Sequence, residues 1–230
     1  MSRGAGPLAR LHVVTDDEVL ARDGWSATAV SVLEAGGAAL ALQLRGPRSS
    51  GSVLFGRVRA LLPHARRVGA LLTVNDRVDV ALAAGTDAVH LAQRSLPVAE
   101  ARRLLGPAAC IGASCHAGPC ALAALSEGAD YAFAGNVFET PSHPGRVGLG
   151  PTGFSVVAAT ARPLPVLAVG GIEAAGVASL VEAGAYGVAV LRGVWDATEP
   201  ASAVNEYISS LARALEPSAR PPGDRDEKER

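Results

Sequence analysis

The sequence predicts an α/β fold in one domain, a (β/α)8 TIM barrel. Three observations point there. Short apolar runs alternate eight times with Ala/Leu-rich stretches that carry charges at helical spacing, the signature of βα units around a parallel sheet. Hydrophobic residues make up 49% of the chain and aromatics only 4%, which suits strands buried on both faces under a layer of helices. The joint between helix and next strand recurs in EAGGA (34–38), AAGTDAV (83–89), SEGADY (126–131) and EAGAYGV (182–188). Each supplies a glycine where a helix must stop, since a left-handed C′ residue costs glycine nothing sterically.

The elements follow in order. Residues 1–10 form an N-terminal extension, and 11–215 the barrel. The first strand run is LHVVTD (11–16), followed by a helical stretch at 26–36. ALALQLRG (39–46) is the second strand, ending in Gln43-Leu44-Arg45, with a helix over 52–67. ALLTVND (70–76) ends in Asn75-Asp76 before a helix at 77–84. AVHLAQ (88–93) carries His90 and precedes 97–105. CIGASCH (110–116) ends in Ser114-Cys115-His116 before 118–128. YAFAGNVFET (131–140) leads to the longest strand-to-helix connection, 141–152, and a helix at 153–161. PVLAVGGI (165–172) ends in Gly170-Gly171 before 174–183. GVAVLRGVW (187–195) carries Arg192-Gly193, and the last helix covers 200–215. The final residues, 216–230, are Pro-rich and then charged, the composition of a disordered, solvated tail. A doubly wound open sheet is the competing architecture, but it rarely needs eight regular repeats.

A net charge of −1 leaves no nucleic-acid or membrane-surface footprint. The start has no signal-peptide core, and no run reaches the ~18 apolar residues of a membrane span. A cytoplasmic protein is expected. All three cysteines fall in CIGASCHAGPC (110–120). An odd number argues against a closed disulfide framework. In a strand, Cys110 and Cys115 stand ~16 Å apart on opposite faces, too far for a disulfide or a shared zinc ion. Cys120 opens the next helix. The three read as small buried hydrophobes.

The active site of such a barrel lies at the C-terminal strand ends, where these polar residues converge. Gln43 and Arg45 share a strand face, as do Ser114 and His116. Gly112, beneath that pair, is expected to leave room for a ligand. The glycines after the seventh strand and Arg192-Gly193 after the eighth suit a phosphate site built from backbone N–H groups. The loop 141–152 is expected to act as a lid. His90, inside the fourth strand, reads as structural.

The segments NDRVDVAL (75–82), DAVHLAQ (87–93), GASCH (112–116), GADYAFAGNVFETPSHPG (128–145), PVLAVGGI (165–172) and GVAVLRGV (187–194) together resemble the superfamily of thiamine phosphate synthase and thiazole tautomerase. The resemblance covers roughly residues 11–215. For the synthase branch it implies joining of a pyrimidine diphosphate to a thiazole phosphate with release of pyrophosphate. Two aspartates would hold Mg²⁺, and lysines the diphosphate. Gln43, Arg45, Asn75 and Asp76 match that pattern. Pro47 replaces the first lysine, Ser95 the second aspartate, and His143 the loop lysine. The tautomerase branch needs neither metal nor diphosphate, and NVFET (136–140) leans towards it.

The resemblance therefore implies, as the leading expectation, a thiazole tautomerase that converts a thiazole carboxylate phosphate to its aromatic tautomer. His116 would move the proton. Gln43, Arg45, Asn75, Ser114, Thr140 and His143 would bind the substrate, with Arg45 facing its carboxylate. Gly170, Gly171, Arg192 and Gly193 would hold its phosphate. No cofactor is expected, except Mg²⁺ on Asp76 if the chain acts as a synthase. The residues leave Asp76 open as a vestigial metal ligand or as a partner of Arg77 or Arg45. A synthase with rearranged diphosphate contacts is the alternative, and a non-catalytic thiazole or thiamine phosphate-binding protein the third reading. The partner is a small phosphorylated thiazole, not nucleic acid or membrane, and a homodimer is possible.

Overall fold

The computed structural model describes residues 8–86, 88–140, 145 and 147–216. His143, residues 1–7 and the tail 217–230 lie outside them, as does part of the connection expected to form a lid.

Eight parallel strands close into one barrel in chain order, with β8 returning to pair with β1. They are β1 (Leu11–Val14), β2 (Leu40–Leu44), β3 (Leu71–Asn75), β4 (Ala88–Leu91), β5 (Cys110–Cys115), β6 (Tyr131–Gly135), β7 (Val166–Val169) and β8 (Gly187–Val190). The longer helices between them are α2 (Trp25–Gly36), α3 (Gly51–Val68), α4 (Val78–Ala84), α5 (Val98–Leu105), α6 (Gly118–Ser126), α7 (Gly150–Thr160), α8 (Val177–Glu182) and α10 (Pro200–Leu215). Gly37, Gly85, Gly128 and Gly184 at the four repeated joints all have positive φ.

Two short helices were not expected: α1 (Asp17–Leu20) and α9 (Arg192–Trp195). The second takes over the end of the run assigned to strand eight. Likewise β6 stops at Gly135 rather than continuing to 140, and α7 starts at Gly150, so the long connection ends earlier than expected.

Side-chain alternation divides the core in two. Outward-facing residues such as Leu42, Val74, Ile111 and Val188 meet the helices in the larger cluster. Val14, Tyr131, Phe133, Leu167 and Ala189 form a smaller cluster inside the barrel, together with buried His12 and His90. Their rings touch: His90 stacks at 4.1 Å from Phe133, and His12 lies 4.9 Å from Tyr131. Burial holds both imidazoles neutral. His12 is lowered to about 3 by burial, with the Ala9 backbone opposing. His90 is lowered to about 3 by burial first, then by His12 and Arg45.

Candidate active site

The site residues come from the C-terminal ends of neighbouring strands. Gln43 is buried near the end of β2, and its Nε2 donates to Asn75 Oδ1 at 2.8 Å. Asn75 Nδ2 donates in turn to Asp76 Oδ2 at 2.8 Å. Because a carboxylate only accepts, this chain fixes both amides. It leaves Gln43 Oε1 as a buried acceptor with no partner among the described residues. Arg45 follows β2. Its backbone is clamped to the Thr15 hydroxyl by two bonds of 2.9 Å, while its guanidinium has no hydrogen bond or ion pair among the described residues.

Asp76 has left-handed backbone (φ 60). Its Oδ1 accepts from the Ala92 N–H at 2.7 Å and from the Ser95 hydroxyl. It pairs with neither Arg77 nor Arg45, which removes one of the two alternatives left open for it. Arg77 is taken by Asp79 next door, at 2.8 and 2.5 Å.

The donor set for a divalent cation fits poorly here. The position of the family's second aspartate holds Ser95, which donates to the remaining carboxylate instead of facing a cation with it. Mg²⁺ prefers carboxylate oxygens and phosphates. Among the described residues no group of three or more His, Cys, Asp or Glu side chains is placed to hold a metal.

His116 is exposed just past β5. Its Nδ1 lies 2.5 Å from the Gly135 carbonyl at the end of β6. A carbonyl can only accept, so Nδ1 carries the proton and Nε2 of the neutral ring is left as the base. The backbone N–H of His116 donates to Cys120 Sγ at 3.1 Å, which ties the residue to the start of α6. Cys115 is buried on the opposite face and its thiol is pushed up to about 12, chiefly by burial. None of the three cysteines forms a disulfide.

Ser114 is half-buried, and its hydroxyl meets His90 Nε2 at 2.9 Å. Gly112 does not leave room for a ligand, as was expected. A Cβ there would stand 2.1 Å from Tyr131 Cζ and 2.6 Å from His90 Nδ1, so those two side chains fill the space. His90, Gly112 and Tyr131 are register partners across β4, β5 and β6. His90 and Tyr131 lie buried inside the barrel beneath Ser114, and their contact with it was not read from the sequence. The available signal was the glycine set between two aromatic rings in one row of the sheet.

Thr140 is half-buried beyond β6. Gly170 and Gly171, after β7, have φ of 100° and 65°. A Cβ would stand 2.7 Å from Asn136 Cβ at the first and 2.5 Å from the Glu139 carbonyl at the second. The β6 connection therefore packs directly across them. A Cβ at Gly193 would stand closer still, 2.1 Å from the Tyr207 hydroxyl. The Arg192 guanidinium is held by Asp16 at 3.1 Å and Glu18 at 3.0 Å. It is thus engaged by carboxylates rather than open to an anion. Two clefts of about 300 and 350 Å³, between α3 and α4 and at the N-terminal end of the barrel, contain none of these residues.

Residues 11–194 match the family described as thiamine monophosphate synthase. The chain belongs to this family. It is 50% identical over 151 residues to the thiamine biosynthesis bifunctional protein ThiM/ThiE of Symbiobacterium thermophilum, covering 65% of this chain and 31% of that longer protein. It is 43% identical to the thiamine-phosphate synthase of Chlorobium luteolum, covering 76% and 82% of the two chains. Among solved structures, the thiamine phosphate pyrophosphorylase of Pyrococcus furiosus superposes with a TM-score of 0.78 at 32% identity, over 90% of this chain and 96% of that one.

Membership of the thiamine monophosphate synthase family makes this an enzyme of thiamine biosynthesis. The relatives' names favour the synthase over the isomerase expected from the sequence. Among the described residues, no helix is long and apolar enough to cross a membrane.

Proposed function

We propose that the barrel binds a phosphorylated thiazole carboxylate at its C-terminal rim and isomerises it to the aromatic tautomer. His116 moves the proton. The observation that carries this reading is the Ser95 hydroxyl on Asp76: the carboxylate pair that the synthase chemistry needs is replaced by one capped carboxylate. The isomerisation needs a base that removes a proton from a ring carbon and returns it to an exocyclic carbon. An imidazole held by its Nδ1 and exposed at Nε2 suits both steps. Arg45, whose planar fork matches two carboxylate oxygens, is the partner for the substrate's acid group. The backbone amides of Gly170, Gly171, Arg192 and Gly193 would take the phosphate, with Gln43, Asn75, Ser114 and Thr140 around the ring.

The synthase is the second reading, and the relatives' names weigh for it. Gln43, Arg45, Asn75 and Asp76 are the residues it would use. One set of assays separates the two. The protein is incubated with the thiazole carboxylate phosphate, with and without a chelator, and tautomer conversion is followed. In parallel it receives pyrimidine diphosphate, thiazole phosphate and Mg²⁺, and thiamine phosphate is measured. Chelator-insensitive conversion, lost in His116→Ala, is the expected result. Sustained thiamine phosphate formation would establish the synthase instead, and ligand binding with neither activity would leave a binding protein.

A further inference from the structure

Beneath the rim, three side chains on three adjacent strands touch in sequence. Tyr131 Oη lies 3.3 Å from His90 Nδ1, and His90 Nε2 lies 2.9 Å from Ser114 Oγ. Tyr131 and His90 are fully buried, whereas Ser114 is half-exposed at the site. Gly112 makes the contact possible, since any side chain there would displace both rings. We propose that Tyr131 and His90 form an internal relay that fixes the Ser114 hydroxyl as a hydrogen-bond donor towards the ligand, which makes His90 a positioning residue.

The direction of the relay follows from counting protons. Burial pushes the Tyr131 phenol well above its usual range, so it keeps its hydrogen. That hydrogen needs an acceptor, because a buried unpaired donor costs ~1–3 kcal/mol. The Thr73 hydroxyl is near the phenol but meets no partner at hydrogen-bond geometry. His90 Nδ1 is the acceptor within reach. The neutral imidazole has one proton, which must then sit on Nε2 and be donated to Ser114 Oγ. With its oxygen already accepting, Ser114 directs its own hydrogen outwards. In the reverse arrangement Ser114 would donate inwards to His90, and the Tyr131 hydrogen would be left with the Thr73 hydroxyl, which is not placed at hydrogen-bond geometry.

The site thus selects an acceptor atom at this point, such as a ring nitrogen or a carboxylate oxygen of the thiazole. This consequence for the ligand rests on the isomerase reading above; the relay itself does not.

The experiment is ¹⁵N NMR of the full-length protein labelled at histidine nitrogens, with His90 assigned by the loss of its signals in His90→Gln. The expected spectrum has Nε2 of His90 protonated and Nδ1 unprotonated and hydrogen-bonded. In Tyr131→Phe the His90 Nδ1 resonance should move while the His116 signals stay in place. Affinity for the thiazole carboxylate phosphate should fall about tenfold, the equivalent of one hydrogen bond of ~1.4 kcal/mol. A proton on Nδ1 in the wild type, or an Nδ1 resonance unmoved by Tyr131→Phe, would overturn the relay. The spectrum needs no turnover. The expected signals in a protein without tautomerase activity would therefore support the relay while removing the proposed function.

Discussion

His116 Nδ1 donates to the carbonyl oxygen of Gly135 across the gap between β5 and β6. The bond fixes one tautomer of an exposed ring and leaves the other nitrogen without a proton. Replacing His116 by Ala should lower the tautomerisation rate by about 10²–10⁴-fold, the usual contribution of general acid–base catalysis. The fold should be unaffected, because the side chain is exposed. Tautomer conversion followed alongside circular dichroism checks this. Full activity in the variant would remove His116 from the chemistry.

The strand order and the eight βα units were legible because apolar runs and glycine joints are local signals. The last helix, 200–215, was placed to the residue. Helices α1 and α9 were not legible, because four residues are too few to show a period. The short helix at Arg192–Trp195 continued an apolar run and passed for strand. At the site, the residues at strand ends were readable but their partners were not. An arginine partner was one of the alternatives for Asp76, yet Arg77 turns to Asp79 and the Asp76 carboxylate meets groups from beyond β4. Such contacts depend on register between strands, which no single stretch of sequence encodes. Gly112 was misread for the same reason, since its neighbours His90 and Tyr131 are 22 and 19 positions away in the chain.

Ser95→Asp should rebuild a two-carboxylate site beside Asp76. The new carboxylate cannot donate to Asp76 as the hydroxyl does, and two adjacent anions favour a bound cation. The expected outcome is saturable Mn²⁺ binding, seen by electron paramagnetic resonance, in the variant and not in the wild type. Equal binding by both proteins would show that the single carboxylate suffices, and would weaken the case against the synthase.

Gly112→Ala should destabilise the barrel. The added methyl would stand 2.1 Å from Tyr131 Cζ and 2.6 Å from His90 Nδ1. Both rings are fully packed and have no free direction to move. Overpacking of this kind costs roughly 3 kcal/mol. For a domain of this size, that lowers Tm by about 6–12 °C. Calorimetry checks it, and a change below about 1 °C would mean the interior holds unfilled space.

Acidification should destabilise the fold above the range where carboxylates titrate, because of His12 and His90. Both are lowered to about 3 in the folded chain, against ~6.5 in an unfolded one. The unfolded state therefore binds two more protons than the native state between those values. Their contribution to stability is complete above about pH 6.5, is lost as pH falls towards 3, and levels off below. At full difference the slope is ~1.36 kcal/mol per pH unit for each histidine, or ~2.7 for the pair. Asp17 and Asp79, both held below their usual range, add a further loss only at lower pH. His12→Phe keeps an aromatic ring against Tyr131 and Phe133 and removes one of the two protons, so the slope should fall by about half. Urea midpoints measured between about pH 5 and 6.5 report it. An unchanged slope would mean that His12 is protonated inside the barrel, on a partner that its ring nitrogens lack among the described residues.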